Sequence, residues 1–109
     1  MNSPTIHENT RNILMGLGFQ PKLIGYHFLC IGIPYFADNK TLSMNKELYP
    51  YIAKEFGYSD SRSIERSIRT SISDGWQRGP GEAWARYFPS HTKAPSNMVF
   101  IATLAEHLK

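Results

Sequence analysis

Between Phe56 and Trp76 the chain reads FGYSDSRSIERSIRTSISDGW, and within it Arg62, Arg66, Arg69 and Ser73 recur at helical spacing. At 100° per residue these four fall within roughly 60° of one another on a helical wheel. Ile64, Ile68, Ile72 and Trp76 form an apolar stripe joined by the small residues Ser71 and Gly75, with the arginines on the opposite side. A guanidinium is a planar fork of N–H donors, matched to the acceptor edge of guanine in a major groove and to phosphate oxygens. A helix buried along the isoleucines and presenting arginines along the other face is therefore suited to reading duplex DNA. The plainer reading is a solvated surface in which Glu65 and Arg69 form an i,i+4 pair worth roughly a few tenths of a kcal/mol. Solvated faces usually mix Lys with Glu, however, and arginines interspersed with Ser and Thr resemble a set of phosphate and base contacts. Glu65 itself can accept from a cytosine amino group.

Other chemistry is not visible. His7, His27, His91 and His107 have no metal-ligand spacing with one another or with Cys30, so no metal or cofactor is expected. No carboxylate pair, nucleophile–base arrangement or phosphate-cradling glycine loop occurs, and an enzyme is not expected. Trp84, Tyr87 and Phe88 read as core aromatics. Cys30 sits among Phe28, Leu29, Ile31 and Ile33 and reads as a small buried hydrophobe.

These side chains need a scaffold. The chain has 109 residues, of which 41% are apolar and 19% charged, enough for a single globular domain. Its net charge of +3 leans towards a polyanionic partner. A lone cysteine excludes an internal disulfide and fits a reducing cytoplasm. The polar stretch Met1–Thr10 carries no signal-peptide core, and the interrupted run Phe28–Phe36 is far shorter than the roughly 20 apolar residues of a membrane span.

Strand-like alternation is weak and helical spacing recurs, which predicts an all-α fold of about six helices. The first runs from about Thr5 to Leu17, with Ile6, Ile13, Leu14 and Leu17 inward and Gly18 as its stop. The second opens with Pro21, runs from Lys22 to about Asp38, presents Leu23, Tyr26, Cys30 and Ile33, and is kinked or cut short by Pro34. The third ends at Phe56 with Gly57 as a left-handed stop, and Pro50 either opens a short form of it or bends a longer one. The fourth is capped by Ser59, Asp60 or Ser61 and continues to about Arg78, before Gly79-Pro80-Gly81. A short helix at Glu82–Tyr87, the loop Pro89–Pro95 and a last helix from Ser96 to Leu108 follow, the last burying Val99 or Phe100 with Ile101, Leu104 and Leu108.

The third and fourth helices, joined by a glycine-containing turn, match a helix-turn-helix with the recognition helix at about 60–78. Ala53 suits a close helix crossing, and Ile52, Phe56 and Ile64 would fill the space between the two helices. The usual apolar anchor would fall at Ser63, so the turn reads one residue longer than is typical.

Taken together, Leu48-Tyr49-Pro50 with Ile52-Ala53-Lys54, Ser61-Arg62, Ile64-Glu65-Arg66-Ser67-Ile68-Arg69 and Trp76-Gln77-Arg78-Gly79 are specific. So are Gly16-Leu17-Gly18 and Gly25-Tyr26 upstream, and Lys93, Pro95-Ser96-Asn97 and Phe100-Ile101-Ala102 downstream. From about Ile6 to Leu108 the chain resembles the C-terminal effector domains of the stage-zero sporulation protein A family, regulators of sporulation in Firmicutes. The resemblance implies a six-helix domain that binds a short asymmetric box of double-stranded DNA and regulates transcription in sporulation or development. Carried onto this sequence, it gives Glu65, Arg66 and Arg69 as base contacts, and Ser61, Arg62, Ser73, Arg78 and Lys93 as phosphate contacts. It also implies RNA polymerase as a partner near Pro80–Ser90, the segment that departs most from the family pattern. Lys93-Ala94-Pro95 carries one basic residue fewer than the family's Lys-Ala-Lys-Pro run. Family regulators place a phosphorylatable receiver domain before this one. Read as starting at Met1, the chain is expected to lack it, and the alternative function is a receiver-less module that pairs with or titrates a full-length regulator. The residues leave open whether two copies assemble on DNA as a homodimer or a tandem pair.

Overall fold

The most apolar segment of the chain becomes its central helix. The computed structural model describes residues 3–108 and contains, in order, α1 (Ser3–Gly16), α2 (Ile24–Asp38), a π-helical turn (Met44–Leu48), α3 (Tyr49–Phe56), α4 (Ser61–Arg78), α5 (Gly81–Tyr87) and α6 (Asn97–His107). No strand occurs among the described residues, and the all-α, six-helix expectation holds. α2 packs against α1, α3, α4 and α6. It is therefore buried nearly all round, with Phe28, Leu29, Ile33, Phe36 and Ala37 joining Tyr26 in the core. A helix covered on every side has no single apolar stripe, so periodicity picked out only part of its contacts.

The start expected for α2 needs correction, and one of the two alternatives at Pro34 falls away while the end at Asp38 stands as expected. Pro21 and Lys22 do not open it: Leu23 is extended, at φ −92° and ψ 128°, and the helix starts at Ile24. The Pro21 carbonyl, which a longer helix would bond internally, instead accepts from His27 Nε2 at 2.7 Å. Pro34 does not end α2 early either, since the helix runs on to Asp38. Burial of Ile33, Pro34, Phe36 and Ala37 outweighs the backbone bond that the proline removes.

The sequence left two forms of α3 open, and the structure combines them. Tyr49 begins the α-helix with Pro50 in its first turn, while the residues before it form the wider π turn. Ser43 caps that turn by accepting from the Lys46 N–H at 3.2 Å, and Glu47 Oε1 accepts from the Ser43 N–H at 2.7 Å. The Tyr49 N–H reaches the Met44 carbonyl, so the π register ends where proline, lacking an N–H, can follow. At the other end Gly57 takes φ 78° and ψ 24°, as expected. The Tyr58 N–H then bonds the Ala53 carbonyl at 2.8 Å and Gly57 bonds Lys54, a Schellman ending. Tyr58 packs edge-on against Phe28, which fixes the direction in which the chain leaves α3.

Beneath these elements the core closes around rings. Trp84 is buried among Phe19, Phe88 and Phe100, and its indole N–H bonds the carbonyls of Leu17 at 2.9 Å and Gly75 at 3.0 Å. In α6 the buried member of the Val99/Phe100 alternative is Phe100, while Val99 is exposed. Cys30 is half-buried against the core, and burial is the main cause that pushes its thiol pKa up.

Candidate nucleic-acid interface

α4 is held rigidly along one side and left open on the other. Ile64, Ile68 and Ile72 are fully buried, together with Ser71 and Gly75. Trp76 is only half-buried, edge-on to Trp84, because positions four apart drift about 40° per step around a helix. Where α4 crosses α2, contact is close enough to require glycine. A Cβ on Gly25 would lie 2.2 Å from the Ser67 carbonyl oxygen and 2.3 Å from Ser71 Oγ. Among the three capping candidates, Asp60 caps α4: its carboxylate accepts from the Arg62 N–H at 2.9 Å. That backbone bond, with the Arg62 guanidinium as a second cause, holds the Asp60 carboxyl below the usual carboxylate range.

The outward face carries the expected residues. Arg62, Arg66, Arg69 and Ser73 are all exposed. Arg62 lies 3.3 Å from the Asp60 carboxylate, and the Arg69 guanidinium is bonded to Glu65 one turn earlier. Arg66 has no ion pair among the described residues, so its donors are available to a ligand. Ser61 stands half-buried at the start of α4, beside Asn45, Tyr49, Arg62 and Glu65 in one shallow depression. Lys93 is brought in from the loop before α6: with Arg69, Ser73, Ser96 and Met98 it lines an open groove running beside α4. Arg78 stands apart. It lies about 150° round the helix from the other arginines and pairs with Asp74 at 3.8 Å, which also accepts from Gln20 at 2.8 Å.

One residue of this site escaped sequence reasoning. Asn97, the first residue of α6, is only 7% exposed. Its Nδ2 donates to the Glu65 carbonyl at 3.0 Å and to Tyr49 Oη at 3.2 Å. A single amide thus ties the start of α6 to the second turn of α4 and the start of α3. Burial pushes the Tyr49 hydroxyl pKa up, and the bond from Asn97 partly offsets this. The signal was present in the spacing: Asn97, Ile101, Leu104 and Leu108 form one stripe, and a polar residue on an apolar stripe must find buried partners.

Among the described residues no group of three or more His, Cys, Asp or Glu could hold a metal ion, and no helix is long and apolar enough to cross a membrane. The described residues define an all-helical domain of six helices without strands, with an exposed arginine face on α4. The particular family follows from comparison. The model for the sporulation initiation factor Spo0A C terminal matches residues 10–108, and the chain belongs to that family, whose domains bind DNA and regulate transcription in sporulation.

Proposed function

We propose that this chain is a sequence-specific double-stranded DNA binder in which α3, the four-residue turn Gly57–Asp60 and α4 act as a helix-turn-helix. α4 enters the major groove. Glu65, Arg66 and Arg69 contact base edges, and Ser61, Arg62, Ser73 and Lys93 hold phosphates on either side. Arg78, off the shared face, reaches only a flanking phosphate. The regulatory setting is sporulation or development. The observation that carries this reading is the exposure of Arg62, Arg66, Arg69 and Ser73 on a helix whose opposite side is sealed by Ile64, Ile68 and Ile72. The groove that unites Arg69, Ser73 and Lys93 supports it, because bases and backbone must be contacted together for register to be set.

The test is selection of bound sequences from random duplex DNA by the purified chain alone. An enriched motif, with affinity falling steeply as salt rises, is the expected result. Recovery of no motif would overturn the reading in favour of a module that pairs with a full-length regulator.

A further inference from the structure

Base-reading and phosphate-holding groups in this site come from different parts of the chain. Arg66 and Arg69 ride on α4, whereas Lys93 sits in the loop that enters α6. Any duplex touched by both senses the distance between them. Most of that loop is exposed, but its end is fixed: Pro95 is buried, and Ser96 caps α6 by accepting from the Val99 N–H at 3.2 Å. Asn97 follows at once and bonds the carbonyl of Glu65, a residue of the reading face itself. Asn97 lies four positions after Lys93, a tether that spans at most about 14 Å when fully extended.

We propose that Asn97 is a positioning residue: its buried amide sets the spacing between the Lys93 loop and the arginine face of α4, so that both engage one duplex. The inference rests on the DNA-binding reading above. Tyr49 completes the arrangement, because its hydroxyl accepts the second Asn97 N–H and holds the amide in the orientation that reaches Glu65. Without that amide, α6 keeps its apolar anchors Phe100, Ile101 and Leu104, so the domain still folds while the loop loses its register.

A double-mutant cycle between Asn97 and Lys93 tests this, read as the salt dependence of duplex binding. Asn97→Ser is too short to reach Glu65. Asn97→Leu, of similar size but with no N–H to give and no charge to bury, repeats the test if the serine variant fails to fold. In the wild-type protein, Lys93→Ala should make the slope of log affinity against log salt shallower by about 0.9, the loss of one phosphate contact. In the folded Asn97 variant the slope should already be shallower, and adding Lys93→Ala should change it no further. A full Lys93 contribution in that variant overturns the proposal and leaves the DNA-binding reading standing. Unfolding of both variants overturns it too, because the amide would then support the domain as a whole. Absence of salt-dependent duplex binding by the wild-type protein overturns both readings together.

Discussion

Glu65 and Arg69, one turn apart on the exposed side of α4, are bonded to each other in the free protein. Both stand among the residues proposed to read bases, so each has a partner before DNA arrives. Their side chains are 37% and 61% exposed, and an ion pair so accessible contributes only about 0–1 kcal/mol. Exchange of this pair for base contacts therefore costs little. Until then the pair holds the Arg69 guanidinium over the face instead of leaving it to sample solvent.

Removal of only the cation should be worse than removal of both groups. Arg69→Ala leaves the Glu65 carboxylate unpaired towards a polyanion, whereas Glu65→Ala with Arg69→Ala leaves a neutral patch. The single variant should bind duplex DNA more weakly than the double, with a coupling of about 0.5–3 kcal/mol. Titration of both against one oligonucleotide at fixed salt checks this. Equal affinities would mean that the Glu65 carboxylate, without Arg69, brings no net repulsion to the interface.

Arg66 is the simpler reader, since it has no ion pair among the described residues. Arg66→Ala should lower specific affinity by about 1–3 kcal/mol and relax preference at one base position. Stability should barely change, because the side chain is exposed and has no ion pair among the described residues. Site selection repeated with the variant provides the readout. An unchanged motif would remove Arg66 from the set of base contacts.

Gly25 decides how closely α4 is seated. Its Cβ would meet the Ser67 carbonyl oxygen at 2.2 Å, and a backbone atom inside a helix cannot swing aside as a flexible side-chain end can. Gly25→Ala should therefore destabilise the domain by about 1–3 kcal/mol, although alanine is the better helix former by roughly 1 kcal/mol. Urea unfolding of the two proteins measures the difference. A stabilised variant would show that α2 and α4 separate without cost.

The sequence made parts of this architecture legible for definite physical reasons. α4 was readable because it is amphipathic: Ile64, Ile68 and Ile72 face the core and the arginines face out, so periodicity alone separates the two sides. The glycine stop at Gly57 was readable because a left-handed residue leaves few alternatives. α2 was half-readable, since a helix buried on all sides shows no contrast. Its start was misplaced because the turn at Pro21–Leu23 depends on a side-chain contact with His27 that no local pattern announces. The π turn before α3 was hidden for a similar reason, as Ser43 and Glu47 close it with each other. Lys93 came into view through family resemblance, but the amide that fixes its loop relative to α4 did not. Asn97 acts across 32 residues of sequence, and contacts of that range are written only in the packing.

The cap that starts α4 gives the domain a pH dependence of known sign. The Asp60 carboxyl is held below its usual range, chiefly by the Arg62 backbone N–H and next by the Arg62 side chain. A depressed value in the folded state means that the unfolded chain takes up this proton first. The contribution of the cap is therefore complete above the unfolded value of about 3.9 and is lost as pH falls through the folded one. Asp60→Asn keeps an acceptor oxygen for the Arg62 N–H but cannot titrate. Thermal unfolding of both proteins between pH 6 and pH 2 should show the wild type ahead at the upper end, with its lead vanishing in acid. Added salt should shrink the lead, since Asp60 is exposed and its attraction to Arg62 is screened. Parallel pH profiles for the two proteins would show that the charge on Asp60 plays no part in holding the start of α4.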